Sequence, residues 1–267
     1  MIKTIKKSEI NGLNQLPPQE WQIDYEAFLK DFMGEDFFYA FIQIQDNKIV
    51  GTGNILLNGK IGWLGNIIVD KSYRGKGLGY DMTKFLVDFL NKKECETQLL
   101  IATELGESIY KKFGFRKLTE YQSFDSTVDN DFNLSDSIKK LEFSDLENVC
   151  KLDLETNMED RAHLIDKFYN NGLGFFSDNN RLLGFYLPEF GRGLVISKDK
   201  QAGIELLKLK HSTKGKRTLL PIENQIGVQL LEKMGLNKGE KSSRMVLGKV
   251  NKWVPNNIYS YGSGYCG

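Results

Sequence analysis

Apolar and polar positions break the chain into short elements. Residues 2–6 alternate like a short strand. Pro17-Pro18 then precede an aromatic-rich helical stretch holding Trp21, Ile23, Tyr25, Phe28, Leu29 and Phe32. Residues 37–45 read as a strand, Asp46-Asn47-Lys48 as a turn and 49–57 as the returning strand. Asn58-Gly59 is a two-residue hairpin signal leading into 61–69. Three antiparallel strands thus deliver the chain to Ile67-Ile68-Val69, whose β-branched side chains suit the end of a buried strand. Beyond Asp70-Lys71-Ser72-Tyr73 comes Arg74-Gly75-Lys76-Gly77-Leu78-Gly79, and then Leu78, Met82, Phe85, Leu86, Phe89 and Leu90 recur at helical spacing. The predicted order is strand, basic glycine-rich turn, helix. A buried strand at 98–102, a short helix at 103–113 and a strand at 115–124 complete this part. Thr103 is the predicted N-cap of that helix, Lys111 and Lys112 lie in its last turn, and Gly114 stops it.

After the polar, acidic stretch at 126–136 the pattern restarts. Ile138-Lys139-Lys140-Leu141 echoes the first strand, and helices follow through Leu146, Val149 and Leu152 and at 158–169. Strands are predicted at 174–177, 182–187, 194–196, 217–221 and 243–247, with helices at 202–210 and 224–234. Leu230-Leu231-Glu232-Lys233-Met234-Gly235-Leu236 lines up with residues 109–115, which marks an internal repeat. Two tandem domains are expected: 1–125, a linker at 126–136, a second copy at 137–250, and a tail at 251–267. The tail has the composition of a flexible terminus, yet Ile258, Tyr259, Tyr261 and Tyr265 give it apolar area worth burying. It is expected either to be disordered or to fold back and wall a cleft.

The turn at 74–80 carries the chemistry. Glycines let the backbone approach a ligand closely, and the first turn of a helix offers unpaired N–H groups and partial positive charge. Together they suit a phosphate or pyrophosphate. No Ser or Thr follows a Gly-Lys pair in P-loop register, and Tyr80 replaces the last glycine of a dinucleotide fingerprint. The pattern Arg74-x-x-Gly77-x-Gly79 after Ile68-Val69-Asp70 closely resembles the acetyl-CoA pyrophosphate loop of the GCN5-related N-acetyltransferase (GNAT) family. Residues 102–115, with Ile109-Tyr110-Lys111-Lys112-Phe113-Gly114-Phe115, resemble a second motif of that family.

The resemblance implies an α/β fold with a mixed, mostly antiparallel sheet flanked by helices, in two GNAT-like copies. It implies acetyl-CoA as cofactor and transfer of acetyl to a primary amine of a small molecule. Backbone groups of Ile67, Ile68 and Val69 would take the pantetheine arm, and Arg74, Gly75, Lys76, Gly77, Leu78, Gly79 and Tyr80 the pyrophosphate. Thr103 would stand beside the pantetheine, an amide on the strand near Ile67 would stabilise the developing oxyanion, and Tyr110 would be the general acid toward sulfur. The glutamate that some members carry on the fourth strand is replaced by Trp63, which leaves the general base unassigned. The second copy has Lys198-Asp199-Lys200-Gln201-Ala202-Gly203 at the corresponding turn, with Asp199 where a pyrophosphate would sit. Like charge there opposes anion binding, so the second copy is expected to have lost its cofactor site and to shape the acceptor site instead. A non-catalytic acyl-CoA-binding module, another acyl group and a peptide amine are the alternatives.

Composition narrows the partners. Lys+Arg 36 against Asp+Glu 35 gives a net charge of +1, which argues against nucleic acid or an anionic membrane as main partner. Met1-Ile2-Lys3-Thr4-Ile5-Lys6-Lys7 has no apolar core of a secretory signal, and three widely spaced cysteines suit reduced thiols in a cytoplasm. A monomer or homodimer is expected. Two histidines make a metal site or a His-based triad improbable, and both are expected on the surface or partly buried.

Overall fold

The structure, a computed structural model, describes every residue except Gln22, Val128 and Gly267, with Glu20 described through its backbone alone. One position each of the predicted linker and tail, Val128 and Gly267, therefore lies outside the described residues. The chain forms two compact units. The first comprises Met1–Arg116, Met245–Val250 and Gly264–Cys266; the second comprises Lys117–Arg244 and Asn251–Ser263.

The first unit contains β1 (Ile2–Thr4), α1 (Tyr25–Phe32), β2 (Phe38–Gln45), β3 (Lys48–Asn58), β4 (Ile61–Val69), α2 (Leu78–Lys92), β5 (Thr97–Ala102) and α3 (Glu104–Lys112). β1 to β4 form an antiparallel meander, and β5 joins β4 in parallel. α1 begins later than the aromatic pattern suggests, because Gln19–Trp21 is a short 3-10 turn and the Asp24 carboxylate caps the helix by accepting from Ala27 N at 2.9 Å. α2 buries Met82, Leu86 and Leu90 against Phe41, Ile55, Leu64 and Leu100, the apolar stripe its spacing predicts.

The second unit contains β6 (Arg116–Asp125), β7 (Ile138–Lys140), α4 (Leu146–Asn157), α5 (Ala162–Lys167), β8 (Leu173–Phe176), β9 (Leu182–Leu187), β10 (Leu194–Ser197), α6 (Lys200–Lys210), β11 (Arg217–Pro221), α7 (Gln225–Lys233), most of β12 (Asn237–Gly248) and β13 (Ile258–Ser260). Its five-stranded sheet runs β13-β10-β9-β8-β7, and β6 pairs antiparallel with β11. Two ion pairs lie wholly inside: Asp153–Arg161 at 2.5 Å and Glu159–Arg244 at 3.1 Å. Removing one partner of either would strand a buried charge.

Two expectations about strands are corrected. The strand at 115–124 does not close the first unit. From Lys117 on it belongs to the second, and the end of β12 takes the place beside β5. Met245 and Leu247 there pack into the core under α2, and Lys249 N donates to Glu96 O at 2.9 Å. The tail takes the second of its two expected courses, folding back in order among its described residues. β13 pairs with β10, and Tyr259 is buried with Ala202, Leu206 and Leu207 of α6.

His211 is a third correction, since it is 0% exposed rather than superficial. It follows α6, with Nε2 hydrogen-bonded to Thr218 Oγ1 at 2.8 Å and Nδ1 without a partner. Burial, with Lys210 and Lys216 nearby, lowers its pKa to about 3. An unfolded chain would take up this proton as pH falls below about 6.5, whereas the folded chain resists until about 3. Stability from this group is therefore present above pH 6.5 and is lost on descending that window, at up to about 1.4 kcal/mol per pH unit. Thermal melts of His211→Gln should fall less steeply between pH 7 and pH 4 than those of the parent chain. Equal slopes would show that His211 does not titrate this way.

Candidate active site

β4 and β5 are paired over only three positions, from Ile61↔Thr97 to Trp63↔Leu99. Beyond Leu99 the ladder ends, so the last part of β4 runs on without β5 beside it. Ile68 is buried in this stretch, while Ile67 and Val69 are half-buried. The chain then turns through a 3-10 segment, Lys71–Tyr73, capped by the Asp70 carboxylate, which accepts from Ser72 N at 2.8 Å.

The glycine turn follows. Gly75 and Gly77 have φ of 77° and 82°, the left-handed region that side chains resist, and open space surrounds each Cβ position. Gly77 is the N-cap of α2 and has no side chain to close the helix start. The first-turn N–H groups of Leu78, Gly79 and Tyr80 thus emerge beside an unobstructed backbone cradle. Arg74 is exposed and anchored by Nε donating to Val69 O at 3.1 Å; Lys76 Nζ lies 4.8 Å over the Tyr73 ring. Tyr80 stacks on Phe113 at 4.6 Å, and Gly79 lies against Ile109. These contacts bring the start of α2 to α3, which carries Tyr110.

Tyr110 is half-buried, 6.2 Å from Phe115 and so close over Gly106 that a methyl group added there would meet its ring at 2.9 Å. Burial pushes its phenol up to about 12, so the hydroxyl keeps its proton at neutral pH. Thr103 sits at the N-cap of α3 but makes no side-chain cap. Its carbonyl accepts from Gly106 N and Glu107 N, and the predicted hydroxyl cap is absent. Trp63 is fully buried.

The corresponding turn of the second unit is built oppositely. Asp199 caps α6, its carboxylate accepting from Ala202 N at 2.9 Å, and Lys198 pairs with Glu155. The position a phosphate would need is filled by the protein's own anion.

One feature of the first unit was read in the sequence only as apolar area worth burying, and another went unread. Tyr265 packs on Phe28 at 4.6 Å and Phe32 at 5.6 Å, and a methyl group at Gly65 would come within 2.5 Å of its Cβ. Its aromatic character was the available signal. Asn54 and Asn66 are joined by a side-chain hydrogen bond of 2.8 Å, which no local pattern announces. Among the described residues, no three His, Cys, Asp or Glu side chains converge as metal ligands, and no helix is long and apolar enough to cross a membrane.

The model of the acetyltransferase (GNAT) family matches residues 8–115. These residues, about two fifths of the chain, are the part similar to that family. The chain shares 32% identity over 76 residues with the glucosamine 6-phosphate N-acetyltransferase of Trypanosoma brucei brucei, covering 26% of this chain and 52% of that protein. With the Arabidopsis thaliana enzyme of the same name it shares 28% over 89 residues, covering 30% and 60%. The chain thus spans little more than half the length of these curated relatives. Over its whole length the fold resembles a Pyrococcus horikoshii protein that carries an acetyltransferase name, with TM-score 0.81, 17% identity and coverage of 100% and 95%. A GCN5-related N-acetyltransferase from Sphaerobacter thermophilus gives TM-score 0.64 at 11% identity, covering 98% and 96%. These two likenesses concern the fold alone.

Acetyl-CoA is the cofactor of this family, and the residues present fit its diphosphate: an uncapped helix start, two left-handed glycines with free space, and Arg74 and Lys76 at the rim. Calorimetry with CoA should show that Gly77→Asp weakens binding at least about a hundredfold, because a carboxylate then occupies the cradle. Asp199→Ala should leave the affinity unchanged. Retained CoA binding by a folded Gly77→Asp chain would refute the assignment.

Proposed function

We propose that the protein is an acetyl-CoA-dependent N-acetyltransferase that acetylates a primary amine of a small molecule by direct attack in a ternary complex. The observation that carries this reading is the contrast between the two helix starts: α2 is left open by Gly77, and α6 is closed by Asp199. In this reading the first unit is the catalytic domain, and the second unit holds no cofactor of its own.

Acetyl-CoA supplies the acetyl thioester. The N–H groups at the start of α2, with Arg74 and Lys76, hold the diphosphate. Backbone groups of Ile67, Ile68 and Val69 take the pantetheine arm where β5 has parted from β4. The attacking amine must be neutral, and as its nitrogen bonds to the acyl carbon the C–S bond breaks. The Tyr110 hydroxyl then gives its proton to the departing sulfur, a donation its raised pKa permits at neutral pH. The amine's surplus proton leaves through water, and a proton from water restores the Tyr110 hydroxyl.

The face of β4 at Gly65 is filled by Tyr265, Phe28 and Phe32, all of them buried, so this face offers an acceptor no opening. The names of the two curated relatives put glucosamine 6-phosphate first in an amine panel.

Thiol release with that panel tests the reading; acetyl-CoA binding without release of CoA on any amine would leave a non-catalytic binding module. Tyr110→Phe should lower kcat by about a hundredfold with the acetyl-CoA Kd unchanged. Equal loss of both would assign Tyr110 to packing. Tyr265→Ala should lower the melting temperature by several degrees, because a buried ring packed on Phe28 and Phe32 is lost, and an unchanged melting temperature would remove it from the core.

A further inference from the structure

The ladder between β3 and β4 runs in register from Asn58↔Ile61 to Asn54↔Gly65, and again from Thr52↔Ile68 to Gly51↔Val69. Between these stretches one residue of β3, Gly53, faces two of β4, Asn66 and Ile67. Two residues against one is a β-bulge, which bends a strand and re-aims its groups. It falls three residues past Trp63, where the pairing with β5 stops, so the re-aimed backbone borders the opening.

Asn66, the first bulged residue, has φ of 47°. Glycine is the usual occupant of that left-handed position, and asparagine is among the few side chains that tolerate it. The conformation is held from across the strand: Asn66 Nδ2 donates to Asn54 Oδ1 at 2.8 Å. Asn54 is 0% exposed, and its own Nδ2 has no partner. A buried amide hydrogen left unsatisfied opposes folding, and an apolar residue at 54 would avoid it. What asparagine adds here is the oxygen that grips Asn66.

We propose that Asn54 is a positioning residue for acyl transfer. Through the Asn66 side chain it fixes the left-handed turn of the bulge, and so holds in place the Ile67 N–H that the acetyltransferase reading assigns to the oxygen of the acyl group. The inference rests on the acetyltransferase reading. It assigns Asn54 no contact with either substrate; its effect passes through backbone geometry, where a small misplacement of an oxyanion donor is costly.

That logic predicts a rescue. Glycine at 66 adopts the bulge conformation without help, so Asn66→Gly should keep kcat within about threefold of the parent. Asn66→Ala and Asn54→Ala should each lower kcat by about tenfold to a hundredfold, with the acetyl-CoA Kd from calorimetry unchanged. In Asn54→Ala/Asn66→Gly, kcat should return to the Asn66→Gly level, because the turn no longer needs its anchor. Loss of melting temperature without loss of kcat in Asn54→Ala would overturn the proposal, as would a double variant no faster than Asn54→Ala. A second readout does not depend on the acceptor. The Ile67 amide resonance should shift when acetyl-CoA replaces CoA, lose that shift in Asn54→Ala and regain it in the double variant. With that pattern and no amine acetylated by the parent, the transfer reading fails and the positioning role stands. A shift indifferent to Asn54→Ala sinks the positioning role alone.

Discussion

The start of an α-helix leaves N–H donors that no carbonyl within the helix can reach, and something must answer them. At α2 nothing in the neighbouring side chains does. Gly77 turns the chain in the left-handed region, has no atom beyond its backbone and delivers the helix with its first turn open. Glycine in place of a side-chain N-cap typically costs about a few tenths of a kcal/mol, so the open first turn is a small departure from the choice that stability favours. The rest of the first unit fixes where that open turn sits. Met82, Leu86 and Leu90 seat the helix on β2, β3 and β4, and Tyr80 on Phe113 ties its first turn to α3. A rigid frame around unsatisfied donors is what an anion site requires.

The two repeats solve the same end-of-helix problem in opposite ways. Asp199 satisfies the start of α6 with its own carboxylate, gaining a cap and a favourable charge against the helix dipole. The same group repels any other anion. One position thus decides between stabilising a helix and binding a phosphate, because both uses draw on the same N–H groups. The interior of the second unit contains Asp153–Arg161, Glu159–Arg244 and a neutral His211.

Much of this was legible in the chain. The meander, the glycine turn, α2 and α3 follow from local pattern, and local pattern is where turn chemistry and amphipathic spacing reside. Partner choice is different. Residues 116–125 and 243–248 both alternate like strands, and nothing within either says which of them lies beside β5. That is settled by Met245 and Leu247 filling the core under α2, a fit between residues far apart in sequence. His211 was misjudged for the same reason, since its burial depends on Thr218 of β11 rather than on its neighbours in α6. Thr103 was placed correctly at a helix start, but its hydroxyl does not cap, because φ and ψ at the N-cap do not by themselves select the rotamer.

The candidate site was legible only where it is made of backbone. Glycines at 75 and 77 announce themselves, because few other residues permit those angles. The Asn54–Asn66 pair does not, although it bears on the same part of β4. A bulge is a miscount between two strands, so it exists only once the register on both sides is known, and Gly53 facing Asn66 and Ile67 is visible only in three dimensions. Once it is seen, the local chemistry becomes interpretable. Asparagine at a left-handed position, tied to a buried acceptor that leaves its own amide unpaired, favours geometry at the expense of stability. The same preference governs Gly77. In both places the first unit forgoes a local gain and keeps a left-handed backbone geometry instead.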